Sequence, residues 1–580
     1  MVNQNDGWER QTMRPVIRGR QAAVSSMKPQ ATEVARAILQ AGGNAFDAAV
    51  AGQAALAVTD FPNNGVGGDA VALVYSAREK KVYSVNAEPC APKLATIDWY
   101  EKNNGGKIPE SDGLLAGGLP CVVDAWYALL DHWGTMSFAQ VLQPAIELAE
   151  NGFPLSEDVA AFTIQADKIR KYPTTVKIYL PNGTAPKPGE IFKNLDLACT
   201  LRKLLHAEQE NKDKGRHEAL KAARDRFYKG DIARSMATFS ESHGGLFRYQ
   251  DFAEYSAQIE TPVSIDYRSY RVYKNPSASQ GPTELIALNL LEGYDLKALG
   301  HNSADYIHMS AEAVKLAMAD RETFLGDMDF ITIPYDTLLS KDYARARRSL
   351  IDPGKASLDL RPGVSEKCRS VVSSVQVAPE GSAGHNSDTS YIAVVDKDRN
   401  MVSFEPSLHS PFGTGVVMGD TGIIFNCRGD YYSLIRGEAN ALAPGKRPRS
   451  TLQSTLVMKD GEPFLITGSP GTDDQVMRTM QTLLNLIEFG MNIQQAIEAP
   501  RWSSRAFPAS PFPHTMYPGD LSVEARIPAS TQQALIARGH KLRVDPPWSL
   551  GSNAAILLDS KTNILEAGAD PRVEAYAWAW

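Results

Sequence analysis

The sequence predicts a mixed α+β protein, with a helix-rich N-terminal two thirds and a sheet-rich C-terminal third. Three observations predict it. Residues 32–58 and 137–240 carry small or apolar residues at helical spacing. After residue 390 the pattern changes to short apolar runs separated by turn residues. No long Pro/Ser/Gly linker and no internal repeat divides the chain.

Taken in order, residues 1–25 read as an irregular arm ending in a short strand at 21–25. Residues 32–58 form helix, break and second Ala-rich helix, with Gly42, Gly43 and Asn44 as the break. The turn NNGVGG at 63–68 precedes a strand at 70–75. Within the helical region, residues 206–226 are dense in both signs of charge and read as a solvated helix or insertion. Residues 262–275 read as a strand and 303–325 as a long amphipathic helix. Residues 352–388 lose periodicity and become rich in Pro, Gly and Ser, which predicts a mobile, exposed segment. A strand at 391–395, a turn DKDRN and a returning strand at 401–404 follow. STLVM and PFLITG flank Lys-Asp-Gly-Glu, a strong hairpin signal. GSPG at 468–471 then leads into a helix over 474–489.

Composition excludes several functions. The 60 Lys+Arg against 67 Asp+Glu give a net charge of -7, which leaves no positive field for a nucleic-acid partner. The five cysteines are scattered without a CxxC pair, so they read as mostly buried free thiols. The N-terminus lacks an apolar signal region, and the longest apolar stretch, 48–58, is too short to span a bilayer. A cytoplasmic protein with no membrane partner is expected. HExxH, P-loop, GxGxxG and GxSxG motifs are all absent, so no metal and no organic cofactor is expected. The glycine-rich turns at 65–68 and 468–471 lack the lysine or spacing of a phosphate cradle.

The informative junction is HNSDTSYIAVVDKDRN, where Thr389 stands between the Gly/Ser-rich segment and an apolar strand. As pattern alone this is an ordinary strand start. The functional alternative is a cut between Asp388 and Thr389. The threonine hydroxyl would attack the Asp388 carbonyl, and water would hydrolyse the resulting ester. A new N-terminal threonine holds nucleophile and base in one residue, because its α-amine titrates at about 7.7–8.0. β-Branching restricts χ1 and helps aim the hydroxyl.

Around this junction the chain resembles the gamma-glutamyltranspeptidase family of N-terminal nucleophile hydrolases over essentially its whole length. The resemblance rests on the order and spacing of GGNAFDAAVAGQAALAV, NPSASQGPTELIALNLLE, MADRETFLGDMDF, DTSYIAVVDKDRNMVS, FGTGVV, APGKRPRSTLQSTLV, GSPGTDDQ, IEAPRW and GADPR. It implies a four-layer αββα sandwich. It also implies autoprocessing into residues 1–388 and 389–580, which stay together as one intertwined domain, a heterodimer of its own fragments. By the same resemblance Thr389 is the nucleophile, Ser407 supplies an assisting hydroxyl where the family usually has Thr, and Gly471 and Thr472 match the Gly-Gly oxyanion hole. Thr472 departs from Gly, which puts the backbone geometry of that donor in question.

The γ-glutamyl pocket departs further. Glu88 stands where the family has the arginine that holds the α-carboxylate, and its own carboxylate would repel that group. Tyr431 replaces the aspartate that binds the α-amine, with Asp430 adjacent. His409 replaces an asparagine. Ser450 and Thr451 keep the hydroxyls of a Ser-Ser pair. Arg428 has two open readings: a replacement clamp for a substrate carboxylate, or a surface arginine beside Asp430. The expected activity is that of a gamma-glutamyltransferase or glutathione hydrolase family threonine amidohydrolase, acting on a small-molecule amide with water as acceptor. The alternatives are an acylase or oxamate-type amidohydrolase, and an unprocessed, non-catalytic binding protein.

Overall fold

Asn44 starts the helix Ala45–Thr59 with a capping box, its side chain accepting from the Asp47 backbone while Asp47 accepts from its own. All fifteen helical residues are buried, so the helix has no solvent face. Its alanines let it lie close against the helices Pro29–Gln40 and Phe138–Asn151 on one side and a sheet on the other. This arrangement sets one outer layer of the fold. The computed structural model describes residues 12–157, 165–363, 376–378 and 389–580.

The sheet beneath has seven strands in the order Tyr576–Ala579, Ala23–Ser26, Ile392–Val395, Met401–Ser407, Asp69–Ser76, Lys81–Ala87 and Gln258–Glu260. Every neighbouring pair is antiparallel. A second seven-stranded sheet runs Ile17–Gly19, Ile564–Ala569, Ala554–Asp559, Glu462–Gly468, Thr455–Lys459, Tyr270–Lys274 and Val263–Tyr267. The two sheets stack through their central strands. Helices Gly281–Leu291, Ala304–Phe324, Asp474–Ile487 and Ile493–Glu498 share a core with the second sheet on its outer side. The result is the expected αββα sandwich, with both sheets drawing strands from either side of residue 388.

Several expectations need correction. Residues 262–275 form two strands, Val263–Tyr267 and Tyr270–Lys274, because Arg268 at φ 54 turns the chain back on itself. The helix Ala304–Phe324 is not amphipathic: seventeen of its 21 residues are buried, with Tyr, His, Glu, Lys and Arg among them. Helical periodicity in the sequence could not reveal the second cover that buries its polar face. Of the four described cysteines, Cys121 and Cys427 are buried, Cys90 is half-buried and Cys199 is exposed. Most of the segment expected to be mobile, 364–375 and 379–388, lies outside the described residues, as do Cys368 and Asp388. No helix among the described residues is long and apolar enough to cross a membrane.

One polar element of that helix gives a pH prediction. His308 Nε2 donates to the Asp352 carbonyl at 2.8 Å, so its Nδ1 accepts from His540 Nε2, also at 2.8 Å. Burial, then the charges of Lys315, His308 and Arg538, push His540 down to about 3. Its folded state therefore favours the neutral ring. The associated stability is full above the ordinary histidine range and is lost progressively as pH falls from that range toward the folded value of about 3. Between pH 7 and pH 5 the native chain is expected to lose about 2 kcal/mol through this residue. His540→Gln, which keeps a donor toward His308, is expected to remove that part of the slope in urea unfolding curves.

Candidate active site

The strand Ile392–Val395 lies at the centre of the first sheet, paired on one side with Met401–Ser407. An antiparallel bridge continues this pairing to Thr389 and Ser407, and the Ser390 N–H donates to the Pro406 carbonyl at 2.9 Å. Thr389 Oγ1 and Ser407 Oγ are thereby held 3.0 Å apart, with Thr389 only 2% exposed. Gly68, at the end of the NNGVGG turn, lies so close to the Ser407 carbonyl that a Cβ there would collide with it. The glycine-rich turn thus serves close backbone approach beneath the hydroxyl pair.

From Ser407 a hydrogen-bonded network leads outward. The His409 N–H donates to Ser407 Oγ at 2.8 Å, with His409 itself at φ 75. Its Nε2 lies 2.9 Å from Asp430 Oδ1. The other Asp430 oxygen accepts from the Ser111 N–H at 2.8 Å and the Ser111 hydroxyl at 3.0 Å. The His409 ring meets the Tyr431 ring edge-on at 4.2 Å, and the Tyr431 hydroxyl reaches Thr451 Oγ1 at 3.1 Å. Arg428 Nη1 donates to the same Thr451 oxygen at 3.0 Å, while its Nε donates to Asp69 Oδ2 at 2.7 Å. The Arg428 guanidinium also stands over the Tyr431 ring.

All the residues singled out from the sequence, apart from Asp388, are therefore in one region, but two expectations change. Arg428 is not a surface arginine; it is fully buried and committed to Asp69. Glu88 is fully buried. Burial first, then the neighbouring Asp69 and Glu260, raise its pKa well above the usual range, against the opposing effects of Arg428 and Ser450. A neutral Glu88 is a hydrogen-bond donor. Asp430, for its part, is already engaged by His409 and Ser111.

The GSPG turn approaches from the second sheet. Gly471 has φ 123, and a side chain there would run into the Arg478 guanidinium. Thr472 adopts φ 46, so the left-handed conformation is met by a β-branched residue. The Gln280 amide holds this turn, donating to the Thr472 carbonyl at 3.1 Å and to the Thr451 carbonyl at 2.7 Å. Left-handed backbone at a non-glycine residue costs of order 1–3 kcal/mol. Thr472→Gly is expected to raise stability by about 1 kcal/mol after the entropy glycine adds to the unfolded chain, measured as the urea midpoint.

A cleft of about 450 Å³ opens above these elements, lined by Ser111, Lys168, His409, Thr472, Arg505 and Phe512 among others. Asp69, Ser111, Gln280 and Lys168 were not legible as site residues. Asp69 directly follows the NNGVGG turn and Gln280 lies in NPSASQGPTE, but only tertiary pairing gives them their partners.

A threonine at the head of a central strand in one of two stacked sheets, backed by a second hydroxyl, defines an N-terminal nucleophile hydrolase. The gamma-glutamyltranspeptidase family profile matches residues 31–580. The glutathione hydrolase-like YwrD proenzyme of Bacillus subtilis is 35% identical, over 97% of this chain and 99% of its own. The glutathione hydrolase proenzyme of Escherichia coli is 34% identical, over 98% of this chain and 93% of its own. The crystal structure of a cephalosporin acylase from Bacillus halodurans superposes with a TM-score of 0.85 at 30% identity, covering 100% of this chain and 99% of that one. The chain belongs to the gamma-glutamyltranspeptidase family, and it is an enzyme of that family's threonine-nucleophile hydrolase type.

Proposed function

We propose that the chain cuts itself before Thr389 and then hydrolyses an amide through an acyl-Thr389 ester, with water as the acceptor. The observation that carries this reading is the 3.0 Å approach of Thr389 Oγ1 to Ser407 Oγ at a strand head. After the cut, Thr389 Oγ1 attacks the substrate carbonyl carbon. Its proton passes to the freed α-amine and from there to the leaving nitrogen as the C–N bond breaks. Water then adds to the ester carbonyl, and the acid departs as the threonine hydroxyl is restored. The backbone N–H groups of Gly471 and Thr472 are the donors for the tetrahedral oxyanion. Residues 1–388 and 389–580 remain one particle, because each sheet is built from both.

A second reading of the substrate is favoured by a specific observation: the acyl group is not γ-glutamyl. Glutathione hydrolase activity belongs to the named relatives. Here the position of the α-carboxylate partner is taken by a buried Glu88 whose pKa burial raises, Arg428 is held by Asp69, and Asp430 accepts from Ser111 beside His409. A group that would bury a carboxylate and an ammonium without partners is disfavoured. The reading therefore places the chain with the acylases of its family.

The experiment is a panel of γ-glutamyl anilide, oxamate and simple acyl amides, with intact mass and N-terminal sequencing of the enzyme used. A fragment beginning TSYIAVV and turnover of acyl amides over γ-glutamyl anilide support both readings. Efficient γ-glutamyl turnover by the cut enzyme overturns the second reading alone. An uncut chain with no turnover overturns the first.

A further inference from the structure

We propose that His409, Cys427 and Asp430 form a zinc site at the head of the cleft, open on its fourth side to an exogenous ligand and inhibitory when filled. The His409 imidazole, the Cys427 thiol and an Asp430 oxygen lie within 4.8 Å of one another, and all three residues are buried. Cys427 immediately precedes the 3-10 turn Arg428–Tyr431, and the Asp430 N–H donates to the Cys427 carbonyl at 3.2 Å. Residues three apart eclipse one another in such a turn, which puts thiol and carboxylate on one side. His409 reaches them from the opposite strand end.

The contacts among the inner atoms of this triad are ones an ion would replace: His409 Nε2 faces Asp430 Oδ1 at 2.9 Å and lies 3.5 Å from the Ser111 hydroxyl. Asp430 Oδ2 is occupied by Ser111, whereas Oδ1 lies 2.9 Å from His409 Nε2 without accepting a hydrogen bond of normal geometry. The two lone pairs can therefore turn toward a common third point. Cys427 Sγ donates to the Leu408 carbonyl at 3.5 Å and also meets the Ser111 hydroxyl, contacts that metal binding would replace once the thiol proton leaves. Tetrahedral zinc, with bonds of about 2.0 Å to nitrogen and oxygen and about 2.3 Å to sulfur, needs ligand separations of about 3.3–3.8 Å. His409 Nε2 and Asp430 Oδ1, now 2.9 Å apart, would separate slightly, and the thiol, within 4.8 Å of both, would draw in.

The donor set selects the metal. One thiolate, one imidazole and one carboxylate suit zinc and not magnesium or calcium, which take oxygen ligands. Thiolate and carboxylate together neutralise its charge once the thiol proton leaves. Three protein ligands leave a fourth position, and of the three His409 reaches the cleft, beside Ser111. The His409 N–H also donates to Ser407 Oγ, so an ion held by His409 is coupled to the hydroxyl pair.

The other described group with metal-ligating atoms, His308, Glu312 and His540, does not compete well. Both His308 nitrogens are hydrogen-bonded, and Glu312 is already paired with Lys315 and Arg361.

The test is calorimetric titration of the purified full-length protein with zinc chloride alone, alongside Cys427→Ser, Asp430→Asn and His308→Gln. One ion per chain is expected, bound at least about 10-fold more weakly by the first two variants and unchanged by the third. Should a variant misfold, cobalt added to the unaltered chain gives a second readout, a thiolate-to-cobalt charge-transfer band. Added zinc is expected to suppress amide turnover, and Cys427→Ser to relieve the suppression. Absence of binding, equal affinity in Cys427→Ser and Asp430→Asn, loss only in His308→Gln, or a cobalt spectrum without the thiolate band overturns the site. Tight binding at the triad without loss of turnover overturns its inhibitory role.

Discussion

Thr389→Ala is expected to leave a single uncut chain with amide turnover reduced about 10⁴–10⁶-fold, to background. On the proposed mechanism the substitution removes the hydroxyl that attacks both the Asp388 carbonyl and the substrate. Stability should change little. The lost Thr389–Ser407 hydrogen bond is worth about 1 kcal/mol, and Ser407 Oγ still receives the His409 N–H. A folded, uncut and inactive variant therefore separates chemistry from collapse. Thr389→Ser keeps the hydroxyl and loses the β-branch that restricts χ1, so it is expected to cut and turn over within about 10-fold of the native rate. Intact mass, circular dichroism and turnover on one preparation check all of this. A Thr389→Ala chain that is still cut at 388/389 would place the nucleophile elsewhere.

Pattern alone gave the strands around Thr389 but not its proposed role, which came from the resemblance of the surrounding motifs to a known family. Thr389, the strand that follows and the hydroxyl eighteen residues on lie on one hairpin, whose DKDRN turn was readable between two apolar runs. The Asp-Gly turn likewise gave the Thr455–Lys459 and Glu462–Gly468 hairpin. The pocket was less legible because its chemistry depends on pairs far apart in the chain. Arg428 reads as either clamp or surface residue until Asp69, on a strand more than three hundred residues earlier, is seen beside it. Glu88 reads as a charge until its burial is known. The same holds for Ala304–Phe324, whose polar residues are covered by later segments such as His540. Periodicity reports one buried face and is silent when a second layer buries the other.

Arg428→Met tests that pocket most directly, and it is expected to cost about 3–5 kcal/mol at neutral pH. Arg428 and Asp69 are both fully buried, and the guanidinium is the positive group hydrogen-bonded to that carboxylate. Burial already raises the Asp69 pKa, and the Arg428 charge and hydrogen bond are the largest effects holding it down. Without them the folded state will favour protonated Asp69 more strongly than the unfolded chain does. A group with a raised folded pKa is stabilising at low pH and loses that contribution as pH rises through the folded value. The deficit of Arg428→Met relative to the native chain should therefore be smaller at pH 5 than at pH 8. Adding Asp69→Asn, which keeps the shape and removes the charge, should recover part of the loss and flatten this pH dependence. Urea unfolding of the native chain, the single variant and the double variant at both pH values measures the coupling. A pH-independent deficit, unrelieved by Asp69→Asn, would mean that Arg428 acts through packing over Tyr431 and not through charge. The pair would then have no part in setting which charges the site accepts, and the proposed preference for acyl over γ-glutamyl amides would rest on Glu88 and Asp430 alone.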